Sequence, residues 1–158
     1  MKFKLKSQGG TAVVEFAVIL PLLVLLVFGI IEFSILLYDK AMVTNASREG
    51  ARAGIVFNVD NNGNFTPVSD ATIRNTVNTY LSTYLISLGN PVARATIPAP
   101  TRIVNPSTGN LSPGGELTVV VQYNYTFMVI PNAIRYLIPT MIIPNPIRLT
   151  ATTVMRFE

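Results

Sequence analysis

Cysteine and histidine are both absent from the 158 residues, and charged side chains make up only 13% of them. Without cysteine there is no disulfide framework, no thiolate metal site and no cysteine nucleophile. Without histidine the commonest general base and the commonest metal ligand are missing. What remains for catalysis is a Ser–Lys dyad or a pair of carboxylates. Lys40 is the one lysine beyond the first six residues, and no serine-rich motif follows it. The six acids from Asp39 onward are scattered over 120 residues. The sequence therefore leads us to expect no enzyme, no catalytic residue, no metal, no cofactor and no small-molecule substrate.

The charged share is about half that of an ordinary soluble domain, while apolar residues reach 49%. Part of the chain is thus expected to live away from water, and disorder of the whole chain is excluded. The length suits one compact domain. The net charge of +4 is an end effect. Lys2, Lys4 and Lys6 supply three of the twelve basic residues, and without residues 1–10 nine bases face eight acids. The other bases stand singly from Lys40 to Arg156, with no basic stripe, so no nucleic-acid partner is expected.

From Phe16 to Ile31 runs FAVILPLLVLLVFGII, without a charge. Glu32 interrupts, and FSILLY carries the apolar run to Tyr38. These 23 residues would span roughly 34 Å as a helix, enough for a hydrocarbon core of about 30 Å. The run is too long for a cleaved secretory signal. The lysines ahead of it favour a cytoplasmic N-terminus, leaving Asp39 to Glu158 across the bilayer. Glu32 then lies roughly 9 Å inside the outer end of the span. A carboxylate at that depth needs a partner: another subunit, a second polar group or interface water. Pro21 can kink the helix or free a carbonyl.

Past the membrane the helix continues to Val56. Ala46, Gly50, Ala53 and Gly54 form a stripe of small residues that lets another backbone come close. Residues 58–67 read as a turn-rich linker. A second helix starts at Ser69, with Asp70 in its first turn. Ile73, Val77, Tyr80, Leu81, Tyr84, Leu85 and Leu88 form its apolar face, expected to be core, and Gly89 with Pro91 stops it. A short strand is expected over Val92–Ile97, then a loop over 105–115. Alternation from Leu117 to Val129 marks the best strand. The proline-rich, apolar segment 131–146 cannot be a central strand. A last strand covers Ile147–Phe157. The expected class is α+β: a basic leader over 1–10, a transmembrane and stalk helix over 11–56 with a second amphipathic helix beyond it, and an extracytoplasmic head with a small antiparallel sheet over 57–158.

The start of the long helix carries its own chemistry. A basic leader ends in Gly9-Gly10, and a carboxylate, Glu15, follows five residues later in an apolar helix. If the chain were cut after Gly10, the new amine of Thr11 would be a cation that a neighbour's Glu15 could pair with. The pattern Gly10 to Glu15 resembles a type IV prepilin cleavage site. The stretch Ala12 to Gly54 sharpens the resemblance, through Glu15-Phe16, Leu20-Pro21, Phe28-Gly29 with Glu32, and Asn45-Ala46-Ser47-Arg48-Glu49-Gly50-Ala51-Arg52. It is similar to the TadE family of pilin-like proteins from Flp (tight-adherence) pilus systems, as is the ending TVMRFE at Thr153 to Glu158.

This resemblance implies a single-pass pseudopilin or minor pilin of the cytoplasmic membrane that helps assemble adhesive pili. It implies leader removal at Gly10/Thr11 by a prepilin peptidase, the pilin-glutamate role for Glu15, and pilin-like subunits and pilus-assembly machinery as partners beside the bilayer. Glu15, Glu32 and Pro21 are the expected assembly residues, and Ala46, Gly50, Ala53 and Gly54 the expected packing residues. The competing reading is an uncleaved, membrane-anchored binding or scaffold domain.

Overall fold

In the computed structural model, residues 9–59, 65–87, 95–104 and 114–157 are described. The order is helix α1 (Gly9–Gly54), strands β1 (Phe57–Val59) and β2 (Phe65–Pro67), helix α2 (Asp70–Tyr84), strands β3 (Ala95–Thr96), β4 (Thr101–Ile103) and β5 (Glu116–Tyr125), helix α3 (Ile130–Leu137) and strand β6 (Ile147–Arg156). The class is α+β, as the sequence suggests. Two compact units divide the chain: residues up to Ser34 with Phe127–Ile143, and Ile35–Thr126 with Pro144–Glu158.

In the second unit β5 is the spine. It pairs antiparallel with β6 along its whole length, from Glu116 opposite Arg156 to Tyr125 opposite Ile147. Its other edge is shared by β3, opposite Gln122 and Tyr123, and β4, opposite Glu116 to Thr118. Strict alternation gives β5 one sealed face: Leu117, Val119, Val121, Tyr123 and Tyr125. Ile73, Val77 and Leu81 of α2 are fully buried in the same core. Ser69 caps α2, its hydroxyl accepting from Thr72 N–H at 3.2 Å. Arg102 of β4 holds the start of α2 through the Asp70 carboxylate and the Val68 carbonyl, the latter at 2.8 Å.

Several expectations change. The supposed linker contributes strands, since Phe57–Val59 pairs antiparallel with Phe65–Pro67. Helix α2 stops at Tyr84, four residues before the expected Leu88. The reason is Asp39, whose Oδ1 accepts the Ile86 N–H at 3.0 Å and so takes the donor that would have continued the helix. Tyr80 and Tyr84 are not core. Tyr84 is exposed and Tyr80 half-buried, their rings 4.7 Å apart, because a tyrosine at the last turn can keep its hydroxyl in water while its ring packs sideways. The best strand ends at Tyr125, short of Val129, because the N–H groups of Met128, Val129 and Ile130 turn to a side chain instead of a neighbouring strand. Ile130–Leu137 form α3, a helix the prolines hide. Pro131 sits in its first turn, where no N–H is required. The leader lysines, the first half of the Val92–Ile97 strand, most of the 105–115 loop and the Gly89–Pro91 stop lie outside the described residues.

Candidate functional site

Helix α1 carries three carboxylates of interest, and each has a different setting. Glu15 is exposed on an apolar stretch, with no hydrogen-bond or ion-pair partner among the described residues. Thr11 is exposed as well, and a side-chain carbon added at Gly10 would meet nothing within 4 Å. No packing within the described chain therefore demands glycine at position 10. The helix runs unbroken through Pro21, whose missing N–H leaves the carbonyl one turn earlier, at Ala17, without its usual donor.

Glu32 is buried, only 5% exposed. Its carboxylate faces the start of α3. Oε1 accepts from Met128 N–H and from Val129 N–H at 3.2 Å. Oε2 accepts from Ile130 N–H at 2.9 Å. Val129, the residue before α3, offers no side-chain cap of its own, so Glu32 does that work from 97 residues away. A helix N-terminus favours an anion through its unpaired donors and its dipole. Hydrogen bonds to a charged acceptor are worth about 1.5–3 kcal/mol each in net terms. In an apolar setting the arrangement offsets two costs at once, those of the carboxylate and of the backbone donors.

Asp39 went unnoticed in the sequence. It is fully buried, with Oδ1 on the Ile86 N–H and Oδ2 without a partner among the described residues. Burial pushes its carboxyl up to about 6, and the Ile86 hydrogen bond opposes that rise only in part. A signal was present: Glu32, Asp39, Val43, Ala46, Gly50 and Gly54 are spaced seven, four, three, four and four apart, a single helix face, and all six are buried. Lys40 beside it donates to the Thr150 carbonyl of β6, and the Ser47 and Thr153 hydroxyls meet at 2.7 Å. Together these contacts fasten α1 to β6.

The two glycines of the small-residue stripe are closed off from within the chain. A side-chain carbon at Gly50 would collide with Val77 of α2, and one at Gly54 with Leu117 of β5 and with Ile73 Cδ1, the latter at 2.7 Å. Ala46 is sealed and Ala53 half-buried. What comes nearest to these two glycines is a set of side chains from α2 and β5.

The arrangement is therefore an apolar helix with one bare carboxylate near its start, one pinned carboxylate deeper in its span, and a packed second half. A helix this long and apolar fits a single-pass membrane anchor. No curated protein and no solved structure matches the chain. Residues 10–52, which hold the expected cleavage boundary, Glu15, Pro21, Glu32 and the start of the small-residue stripe, match the family model described as TadE-like protein, so over this stretch the chain is similar to that family, as its N-terminal motifs suggest.

Proposed function

We propose that this protein is a pseudopilin or minor pilin, anchored in the cytoplasmic membrane by α1, that helps assemble or secrete an adhesive pilus of the Flp (tight-adherence) kind. The observation that carries this reading is Glu15, an exposed carboxylate without a partner among the described residues, within a TadE-like apolar helix. Such a group opposes insertion by about 1–3 kcal/mol, so its presence needs a reason. A prepilin peptidase cutting between Gly10 and Thr11 creates that reason, an amine at Thr11. Glu15 of one subunit then pairs with the Thr11 amine of the next. In lipid each member of that pair is costly alone. The open space around Gly10 supports a requirement set by the peptidase, which must reach the backbone there. The sheet-bearing part then lies outside the cytoplasm.

N-terminal sequencing of the protein from its own cell tests the cut, with a start at Thr11 expected. Gly10→Leu should retain the leader while still inserting. Glu15→Gln should leave the protein inserted and folded but lower pilus number and co-purification with other pilins. A leader retained in the native protein, together with normal pili from the Gln variant, would leave the anchored scaffold domain as the better reading.

A further inference from the structure

The segment that follows β5 has a composition that water does not explain. Between Phe127 and Ile143 there is one charge, Arg135. Tyr136 is 88% exposed and Ile142 90%, and Leu137, Ile138 and Met141 are about half exposed. The segment belongs to the same compact unit as the apolar first part of α1. Glu32 fixes its depth. The carboxylate that holds the N–H groups of Met128, Val129 and Ile130 lies six residues, about 9 Å, inside the outer end of the span. Residues bonded to it share that depth.

We propose that α3 and the apolar run after it, residues 127–143, are immersed in the outer leaflet of the bilayer beside α1. The protein then meets lipid through two elements, with Glu32 as the polar pin between them. This rests on reading α1 as a membrane span. The occupant of the exposed apolar surface is lipid acyl chain, because the surface continues that of a helix whose exposed apolar side chains run from Val13 to Leu37.

Backbone polarity is the strongest objection to placing irregular chain in lipid, and the segment answers much of it internally. Glu32 takes three donors at the helix start. Pro131 and Pro139 have none to satisfy. Ala133 N–H reaches the Val129 carbonyl at 2.9 Å, Ile138 N–H the Ile134 carbonyl at 2.7 Å, and Met141 N–H the Ile138 carbonyl at 3.0 Å. The Asn132 amide is spent on the Met128 carbonyl at 3.1 Å. Arg135 is exposed, and its long stem lets the guanidinium climb to the lipid phosphates while the helix stays below.

The natural absence of cysteine makes the test direct. Full-length protein carrying Tyr136→Cys or Ile142→Cys is spin-labelled and reconstituted in phosphatidylcholine–phosphatidylglycerol vesicles. Accessibility is read against oxygen, which partitions into lipid, and against a water-soluble nickel chelate. Ile30→Cys on α1 and Ser82→Cys on α2 are the references. Labels at 136 and 142 should match position 30, oxygen-accessible and shielded from nickel, and differ from position 82. Glu32→Leu in the Tyr136→Cys background should shift that label toward the nickel-accessible pattern. Nickel-accessible labels at 136 and 142 with a lipid-embedded position 30 would overturn the proposal and leave the anchor intact. Labels shielded from both reagents would overturn it in favour of a protein partner. A nickel-accessible position 30 would remove the span itself, and the proposal with it.

Discussion

From Phe16 to Ile31 almost every side chain of α1 is exposed on all sides of the helix, whereas between Asp39 and Gly54 a narrow stripe, Val43, Ala46, Ser47, Gly50 and Ala51 among it, is sealed. The helical repeat is the same throughout, and apart from the bond that Pro21 removes so is the backbone hydrogen bonding. What differs is the surroundings each part is made for. The first part is apolar around its whole circumference and has no inner face, the pattern of a helix solvated by lipid. The second part has one small, close-packed face, and α2 and β5 press into it. Glycine means different things in the two parts. At Gly29 a side chain would meet open space, and at Gly50 it would strike Val77. Carboxylates diverge likewise: Glu15, just ahead of the first part, is exposed and without a partner among the described residues, while Asp39 is sealed in the second.

The difference can be broken most severely at the packed glycines. Gly50→Leu should destabilise the sheet-bearing unit by about 3 kcal/mol, at the upper end of overpacking costs, while Gly29→Leu leaves its stability unchanged. Thermal unfolding of the full chain in micelles, followed by near-ultraviolet dichroism, reads both. A Gly50→Leu protein that melts like the native one would show that the stripe is not closed by α2.

Asp39 gives the next largest effect. Its carboxyl titrates near 6 when folded and near 3.9 when unfolded, so the folded state holds the proton more tightly. Stability from this group is therefore greatest below about 4, is lost as pH rises to about 6, and is flat above. Two pKa units correspond to roughly 3 kcal/mol, and relaxation around the buried group reduces that to about 2 kcal/mol. Asp39→Asn keeps a carbonyl for the Ile86 N–H and removes the charge. Its melting temperature should exceed the native value at pH 7 and converge with it at pH 4. Parallel curves for the two proteins across that range would disprove the assignment.

Ser69→Ala removes the cap of α2 and should cost about 1 kcal/mol, seen as a lower denaturant midpoint with an unchanged slope. Smallest of all, Glu116→Gln breaks the exposed pair with Arg156, 3.3 Å apart. It should change stability by about 0.5 kcal/mol or less, and less still in high salt. A larger loss would mean that the strand end is more enclosed than its exposure indicates.

How far each of these features could be read in advance follows their range along the chain. The span from Phe16 to Tyr38, the Ile73–Val77–Leu81 face of α2 and the alternation of β5 are patterns of neighbours within four residues, and they fold as the sequence suggests. The Ser69 cap is equally local. Helix α3 is just as short in range but was obscured by its prolines, which read as breakers although Pro131 stands where a helix tolerates one. β4 is three residues long and draws its pairing entirely from β5, so no local pattern marks it.

By itself the sequence determined the apolar anchor, the alternating strands, the amphipathic second helix and the TadE-like stretch with Gly10 and Glu15, because each is written in local periodicity or in a short run of residue types. Tertiary structure alone decided that Glu32 caps a helix 97 residues away, that Asp39 ends α2 by taking the Ile86 N–H, and that Val77 and Leu117 sit against Gly50 and Gly54. A buried carboxylate or an empty glycine surface states a need in the sequence, but the group that meets it comes from whatever distant segment the fold brings alongside.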